Sequence, residues 1–406
     1  MLASIAVAGL IACAVTLGVL SSALRALEER ARPNAPLPPI TVIRPVRGLD
    51  PGLEHNVRAA LRQRYPARIE TIFVLDDPDD DALPVIEREI ARERADARIV
   101  LAGRPPPGRT GKLHAMIAGL AAARARTTLV AFADSDTRPD PGVLEDLAAS
   151  VAASHDVGAA FARAIGTEPA QTLGDVGYGL LLDGIYGPQA AVATRWRGSL
   201  PFVMGQTMVL RRSALDACGG LEGSDGELVD DMHIGLRLAG AGYRNVVSGT
   251  PVAIVQHGSS FQELRSTALR WMVFGRTGIP SWPFNVPAAV WIVTYLLGVI
   301  GAVIALARGE RAALVLCAAS AASVVVALEL LRRQQGGAPL PARLWWAPFV
   351  CLALVPWWFV RARFTKRIVW RGRTYALDSA GRLGARPGRP PPPPSGPVPL
   401  RPRSAW

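Results

Sequence analysis

Three acidic clusters lie in the first two thirds of the chain: Asp76-Asp77, Asp134-Ser135-Asp136 and Asp230-Asp231. Each cluster alone has an ordinary explanation, because acidic side chains commonly end strands and cap helices. Together they offer the oxygen ligands that Mg²⁺ and Mn²⁺ prefer, and a carboxylate that can take a proton from a hydroxyl group. That combination is typical of group transfer from a nucleotide diphosphate.

Two basic positions could serve the same chemistry, because a cation stabilises a departing diphosphate. Lys112 lies in a glycine-flanked loop and is one of only two lysines in a chain with 45 basic residues, although chance could also place it there. Arg270-Trp271 lies a few residues before an apolar segment. Without the acidic clusters, Arg270-Trp271 is equally typical of a juxtamembrane anchor.

The segments around these residues alternate between strand-like and helix-like patterns. We predict strands over 40–44, 69–75, 97–102 and 128–133, and helices from residue 50, over 84–94 and over 112–126. Asp50 is the predicted N-cap of the first of these helices, with Pro51 at its first position. Such alternation predicts crossover units, a mostly parallel sheet and a functional site at the carboxyl ends of its strands. Asp76 and Asp134 both follow a predicted strand.

Four apolar segments predict contact with a membrane. Residues 3–24 and 286–307 carry no charge, and each can cross a hydrocarbon core of about 30 Å as a helix. The first lacks a basic leading region, so we interpret it as an anchor and not as a secretory signal. Residues 312–331 form a third candidate span. Residues 344–360 are short and hold Pro348 and Pro356, which favours a re-entrant or interfacial hairpin over a further span.

The net charge of +12 is concentrated at the end of the chain, where residues 361–406 hold eleven basic residues and one acid. This location argues against a nucleic-acid binder, which would carry basic and aromatic residues on its globular part. A basic cluster after an apolar segment is typical of a protein on anionic lipid, or of solvated charges that set topology. The proline-rich part from residue 386 predicts disorder. The four cysteines show no disulfide or metal-ligand spacing.

An ordered series of motifs resembles the family 2 type inverting glycosyltransferases of the A-type fold. The resemblance is greatest to the ceramide glucosyltransferase-like branch, which includes hopanoid-associated glycosyltransferases, and it covers roughly residues 40–375. Its motifs are IRPVRGLDPGLEHNV, FVLDDPDDDA, GKLHAMIAGL, ADSDTRPDPGVLEDL, MGQTMVLRRSALDACGGLEG, LVDDMHIGLRLAGAGYR, ALRWMVFGR and RIVWRGRTY. It implies a Rossmann-like α/β fold with a mostly parallel sheet and transmembrane helices at both ends.

The resemblance also implies a role for individual residues. Asp76 would contact the uracil-ribose part of a UDP-sugar, and Lys112 would lie near the nucleotide. Asp134 and Asp136 would meet the sugar diphosphate and a divalent metal, Mg²⁺ or Mn²⁺. Asp231 would be the catalytic base.

The Arg-Trp motif departs from the family pattern in one position. The resemblance implies that Arg270 meets the diphosphate and that Trp271 walls the acceptor site. The family has Gln or Arg three residues before this arginine, whereas this chain has Thr267. His233 and His257 are predicted to be structural, since a hydrogen-bonded histidine is more common than a catalytic one.

These observations predict a membrane-bound enzyme that moves one sugar from a UDP-sugar to a lipid hydroxyl, such as that of a ceramide or hopanoid, with inversion. The alternatives are a processive polysaccharide synthase, for which two or three C-terminal segments are few, and a non-catalytic membrane scaffold. We expect a bacterial-type inner membrane and a catalytic domain that faces the cytosol. The predicted parts are an anchor (1–32), a glycosyltransferase domain (33–280), a membrane region of two spans plus a hairpin or third span (281–361), and a basic, partly disordered tail (362–406).

Overall fold

The computed structural model describes residues 1–30, 34, 36–124, 127–255, 258–273, 282–384 and 398–399. Its strands are β1 (Ile40–Pro45), β2 (Ile69–Leu75), β3 (Ala97–Leu101), β4 (Leu129–Ala133), β5 (Thr137–Arg138), β6 (Val157–Phe161), β7 (Ala164–Gly166), β8 (Thr207–Arg211), β9 (Arg244–Val247), β10 (Val252–Ile254), β11 (Arg367–Trp370), β12 (Arg373–Ala376) and β13 (Val398–Pro399).

The helices of the described residues are α1 (Leu2–Glu28), α2 (Leu53–Leu61), α3 (Leu83–Glu93), α4 (Gly111–Ala121), α5 (Val143–Ala152), α6 (Leu173–Gly179), α7 (Gly187–Arg197), α8 (Arg212–Ala217), α9 (Asp230–Gly240), α10 (Phe261–Val273), α11 (Trp282–Ala307), α12 (Arg311–Gln334) and α13 (Ala347–Phe364). A π-helical turn, Leu180–Tyr186, joins α6 to α7. Short 3₁₀ turns lie at Glu222–Ser224 and Ala342–Leu344.

The central sheet has the order β13-β3-β2-β1-β4-β8-β6-β9 within these residues. Strands β3, β2, β1 and β4 run parallel, and β8 pairs antiparallel with β4. Strands β1, β2 and β4 are buried almost completely, as expected for a sheet covered by helices on both faces. Their carboxyl ends meet at one edge, where Asp76 and Asp134 follow β2 and β4. The predicted α/β fold, with apolar helices near both ends, is confirmed.

Among the residues that the structure describes, four helices are long and apolar enough to cross a membrane: α1, α12, α13 with the turn before it, and α11 from Asn285 onward. They indicate a membrane protein. Helices α1, α11 and α12 pack against one another, and α12 also packs on the π-helical turn.

A buried polar network joins these helices to the sheet-containing part of the chain. Arg332 at the end of α12 lies 3.5 Å from the Asp183 carboxylate in the π-helical turn. Arg163, which is fully buried, donates to Gln335 at 2.7 Å and to Glu28 at the end of α1 at 3.2 Å. Because an unpaired buried charge is costly, each of these groups holds the others in place.

Helix α13 is one continuous helix, so the predicted hairpin over residues 344–360 is not formed. Pro348 lies in the first turn of α13, where a backbone N–H has no acceptor within the helix, so the N–H that proline lacks is not needed. Pro356 lies inside the helix without ending it.

The predicted N-cap role of Asp50 is also wrong. Helix α2 begins at Leu53, and its N-cap is Gly52, whose φ of 66° is in the left-handed region that favours glycine. The Asp50 carboxylate instead accepts a hydrogen bond from the Ser135 hydroxyl and pairs with Arg371. The sequence pattern at Asp50 is typical of a helix start, but the side chain contacts residues at the edge of the sheet.

Candidate active site

A cavity of about 1000 Å³ opens at the carboxyl edge of the parallel strands. Its lining comes from the residues after β1, β2 and β4 and from α9, α10 and the β11–β12 hairpin. Every site residue predicted from the sequence lies on its wall: Asp76, Lys112, Asp134, Asp136, Asp231, Arg270 and Trp271. The fold therefore brings together groups that lie up to 195 positions apart, from Asp76 to Trp271.

Lys112 occupies the centre of the acidic part of this cavity. It lies in the first turn of α4, which Thr110 caps by accepting a hydrogen bond from Leu113. The Lys112 Nζ is 2.6 Å from Asp134 Oδ1 and donates to the Gly205 carbonyl at 3.2 Å. Burial lowers the pKa of Lys112, but the neighbouring carboxylates, Asp134 first, outweigh it and the pKa is raised. Lys112 is therefore a fixed positive charge between the strand-end acids and α9.

Asp136 has an unusual environment for a carboxylate. Its Oδ1 is buried and accepts no hydrogen bond from any residue that the structure describes. Burial, followed by repulsion from Asp134 and Asp50, raises the pKa of Asp136 to about 7. A buried carboxylate oxygen without a partner is uncommon, and it is a ready ligand for a hard cation.

Asp231 is held rigidly at the first turn of α9. The Gly205 N–H donates to Asp231 Oδ2 at 2.6 Å, and the Met232 N–H donates to Oδ1 at 2.8 Å. Burial raises the pKa of Asp231 above its ordinary value. Both oxygens therefore have fixed directions, while the carboxyl retains a higher basicity than an exposed one.

Asp230 supports this arrangement from deeper in the protein. It is buried, and its Oδ1 accepts a hydrogen bond from the Asp231 N–H at 2.9 Å. The Thr110 hydroxyl donates to its Oδ2 at 3.4 Å. Burial raises the pKa of Asp230 to about 6. Asp230 thus links the cap of α4 to the start of α9.

An aromatic wall lines another part of the same cavity. The Trp271 ring lies 5.5 Å from the Tyr178 ring and 5.4 Å from the Tyr186 ring, measured between centroids. Arg270, one residue earlier on α10, has its guanidinium carbon 4.6 Å from the centre of the Trp370 ring. Thr267 also lines the cavity, so the departure from the family motif lies within the site.

The β11–β12 hairpin, part of the predicted basic tail, supplies cations to the cavity. Arg373 pairs with Asp76 at 2.9 Å, and Arg371 pairs with Asp50. The Tyr375 hydroxyl accepts a hydrogen bond from the Gly111 N–H at 3.1 Å, at the start of α4. Neither alternative given for the basic tail, lipid contact or solvated charge, describes Arg371 and Arg373, which face carboxylates of the cavity. The RIVWRGRTY motif was the available signal for them.

The turn of this hairpin explains how Arg371 reaches the cavity. Arg371 and Gly372 form a two-residue loop, with φ of 48° and 72°. Positive φ at both positions is typical of the tight hairpin turns that match strand twist, and it is uncommon for arginine. Burial lowers the pKa of Arg371, but Asp50 and then Asp136 and Asp134 outweigh it and raise it. The hairpin thus holds a charged arginine over the acids.

Comparison with known proteins agrees with this geometry. The family model described as glycosyl transferase family 21 matches residues 1–383. The chain belongs to glycosyl transferase family 21. This confirms the resemblance to ceramide glucosyltransferases inferred from the motifs.

Individual relatives of this family 21 protein are distant. It is 24% identical over 250 residues to ceramide glucosyltransferase 3 of Caenorhabditis elegans, a match that covers 61% of this chain and 52% of the relative. It is 25% identical over 229 residues to ceramide glucosyltransferase 1 of the same organism, covering 55% and 47%. The chain thus spans about half the length of the curated relatives it matches. A structure of mannosyltransferase PcManGT from Pyrobaculum calidifontis, in complex with GDP-Man and Mn²⁺, is 19% identical, with a TM-score of 0.48 and coverage of 89% and 97%.

The residues of the family 21 cavity fit a divalent cation. In the part of the chain that the structure describes, no three His, Cys, Asp or Glu side chains are grouped closely enough to hold a metal ion by themselves. Mg²⁺ commonly binds through one or two carboxylates and completes its shell with substrate phosphates and water. Asp136, with its unpartnered Oδ1, and Asp134 beside it suit that role.

Gly205 leaves no room for a side chain beside Asp231. A Cβ at this position would lie 2.7 Å from the Asp231 Cβ. We expect Gly205→Ala to displace the carboxylate and to reduce the turnover rate at least about tenfold, because small misplacements of reacting groups are costly. Turnover and circular dichroism should be compared with Gly240→Ala, since a Cβ at Gly240 meets no other atom within 4 Å. Unchanged turnover in Gly205→Ala would contradict the placement of Asp231.

His233 is not among the described residues that line the cavity. The His233 Nδ1 lies 3.1 Å from the Ser224 hydroxyl, and its Nε2 lies 3.9 Å from Glu227. Burial lowers the pKa of His233, so this ring is largely neutral near pH 7. His257 lies outside the described residues.

Proposed function

We propose that this family 21 protein transfers one hexose from a UDP-sugar to the hydroxyl of a membrane lipid, with inversion at the anomeric carbon. One observation carries the proposal. A single cavity joins an acidic and cationic half, suited to a nucleotide diphosphate, to an aromatic half that lies against the apolar helices.

The aromatic half is close to the membrane helices. Tyr178 and Tyr186 lie on α6 and on the π-helical turn. That turn packs on α12 so closely that a Cβ on Gly184 would lie 3.3 Å from a Leu328 methyl group. A lipid with its chains beside α12 would therefore present its head group to the aromatic wall, which favours a lipid over a soluble acceptor.

Asp231 is the proposed base. The acceptor oxygen bonds to the anomeric carbon while the bond from that carbon to the diphosphate oxygen breaks, and Asp231 takes the hydroxyl proton. The raised pKa of Asp231 brings it nearer to the working pH, which improves a general base. The two backbone N–H groups on its oxygens keep it aimed at the cavity.

Cations of the chain are proposed to stabilise the departing diphosphate. Lys112 and Arg270 both line the cavity that holds the acids. Positive charge fixed before the reaction stabilises a developing anion without reorganisation. A divalent ion held by Asp134 and Asp136 would add charge neutralisation at the same phosphates. Asp76, which follows β2, is proposed to hold the uridine part.

The proposal is tested with the purified full chain in lipid nanodiscs. UDP-hexoses would be offered with Mn²⁺ or Mg²⁺ and with ceramide, a hopanoid polyol or diacylglycerol, and lipid products would be analysed by mass spectrometry and NMR. We expect a lipid heavier by one hexose, one UDP per product, and inverted anomeric configuration. A ladder of products would instead establish a processive synthase. If the UDP-sugar remained intact with every acceptor, the protein would be a non-catalytic scaffold.

Arg371 and Arg373 are expected to contribute to donor binding. A charge-assisted hydrogen bond is worth about 1.5–3 kcal/mol, so Arg371→Ala or Arg373→Ala should lower kcat/KM for the donor roughly 10- to 100-fold. The matched control is Arg244→Ala, which breaks an exposed ion pair with Asp156 far from the cavity. Initial rates at varied UDP-sugar would measure the effect. If all three variants had the same kcat/KM for the donor, the hairpin would not contribute to donor binding.

A further inference from the structure

The path of α13 differs from that of a membrane-crossing helix. Just before the helix, the Ala338 N–H donates to the Gly166 carbonyl at the end of β7, at 3.0 Å. At its far end, Ala362 packs in a buried cluster with Val229 and Val273, which adjoin α9 and end α10. Between these points α13 packs on α6 and α10. The same sheet-containing domain therefore holds both ends of α13.

The residues that follow α13 also stay with that domain. Phe364 ends the helix and β11 begins at Arg367. The next turn places Arg373 on Asp76 in the cavity. A helix that crossed the bilayer would leave its two ends on opposite sides of about 30 Å of hydrocarbon. Neither end of α13 leaves the side on which the cavity lies.

The outer face of α13 is nevertheless apolar along its whole length. Six exposed apolar residues, beginning at the N-cap, recur at intervals of three or four positions and define one stripe: Trp346, Val350, Ala353, Trp357, Val360 and Phe364. Phe364 is 74% exposed and Trp357 is 57% exposed. A contiguous apolar face with large aromatic side chains indicates a surface that another apolar phase covers.

Charge and continuity indicate which phase covers it. The end of the stripe is flanked by exposed basic residues, namely Arg361, Arg363, Lys366 and Arg367. They match the negative head groups of an anionic leaflet. The Tyr295 hydroxyl of α11 donates to the Phe349 carbonyl of α13 at 2.7 Å, so α13 adjoins a helix apolar enough to cross the membrane.

We infer that α13 lies in the plane of the bilayer on the catalytic side, with its stripe in the head-group and acyl boundary of an anionic leaflet. Three apolar helices, α1, α11 and α12, would then cross, while α13 docks the domain. Helices with an apolar face and a basic flank bind membranes in this orientation. This inference does not rest on sugar transfer, because it follows from the path and surface of α13.

Single cysteines in the full chain test the path of α13. In proteoliposomes sorted for one orientation, Ala342→Cys and Lys366→Cys place thiols before and after α13, and both positions are exposed. His155→Cys marks the domain, and Glu310→Cys marks the loop between α11 and α12. The background is Cys218→Ala, since the three other cysteines are buried. We expect a membrane-impermeant maleimide to label Ala342→Cys, Lys366→Cys and His155→Cys from one side and Glu310→Cys only from the other. Labelling of the two positions around α13 from opposite sides would overturn the inference.

A depth measurement tests what covers the stripe. A fluorophore on Val360→Cys should be quenched at least about twofold more by acyl-brominated lipid than the same fluorophore on His155→Cys. The quenching should rise with the fraction of anionic lipid, and replacing the four flanking basic residues with Gln should reduce that rise. Equal quenching at both positions would show that water or a second protein copy covers the stripe, and would overturn lipid as its partner.

Discussion

Asp231→Asn is expected to lower the turnover rate about 10²- to 10⁴-fold, the usual contribution of a positioned general base. The amide cannot take the acceptor proton, yet it has nearly the same size. The Gly205 and Met232 N–H groups donate to different oxygens of Asp231, so only one of them keeps its acceptor in the amide. We therefore expect some loss of thermal stability but little change in UDP affinity. Turnover and UDP binding should be measured on the same preparation.

The matched control for Asp231 is Asp216→Asn. Asp216 makes an ion pair with Arg212 on the short helix α8, and it does not line the cavity. We expect this variant to retain the parent rate. If Asp231→Asn kept more than a tenth of the parent rate, Asp231 would not be the base. If UDP binding were lost together with turnover, its role would be structural.

Asp136→Asn is expected to weaken Mn²⁺-dependent UDP binding on the order of 100-fold or more, because loss of a metal's supporting groups alone costs 10- to 100-fold. Calorimetric titration of the full chain with Mn²⁺ in the presence of UDP measures this without relying on activity. The control is Asp140→Asn, an exposed residue of the same loop. Unchanged Mn²⁺ affinity in Asp136→Asn would exclude this carboxylate as a ligand.

The same titration should depend on pH in the parent protein. Because the pKa of Asp136 is raised to about 7, the carboxyl is protonated below that value and must lose its proton to bind a cation. The Mn²⁺ affinity should therefore rise about tenfold per pH unit up to pH 7 and then level off. Asp136→Asn should remove this slope. Without metal, the folded state holds this proton more tightly than the unfolded state, so Asp136 should destabilise the fold as the pH rises from about 4 to 7.

The sequence was sufficient to predict the four parallel strands β1 to β4 and the acids that follow β2 and β4. The alternation of buried strands with amphipathic helices sets the parallel sheet, and the parallel sheet places Asp76 and Asp134 at one edge. These positions follow from local patterns and one general rule of topology. The family motifs then extended the site to Asp231 and Arg270.

The contacts of Asp50, Arg371 and Arg373 could not be predicted in this way. Arg373 meets Asp76 only after the chain has passed through the apolar helices and returned along α13. No local pattern encodes such a return, and the charge of the tail was equally consistent with lipid contact and with solvated residues. Asp50 fits the local sequence rule for an N-cap. However, α2 begins after Gly52, which has a left-handed backbone conformation, and the Asp50 carboxylate contacts Ser135 and Arg371 instead of the helix.

Helix α13 shows the limit of hydropathy in the same way. Its apolar residues are numerous enough for a span, and Pro348 and Pro356 suggested a break. The packing of one face of this helix on α6 and α10 cannot be inferred from its amino-acid composition. That contact is tertiary, and it decides between a crossing helix and one that lies along the surface.

The buried network of Arg163, Arg332 and Asp183 ties the ends of α1 and α12 to the turn that carries Tyr186. If the acceptor is a lipid, as proposed, this network would hold the aromatic wall at a constant height above the acyl chains. Acceptors would then be selected by the distance between their hydroxyl and their first hydrophobic carbon. A head group that is too short would stop below Asp231, and one that is too long would carry its hydroxyl past it.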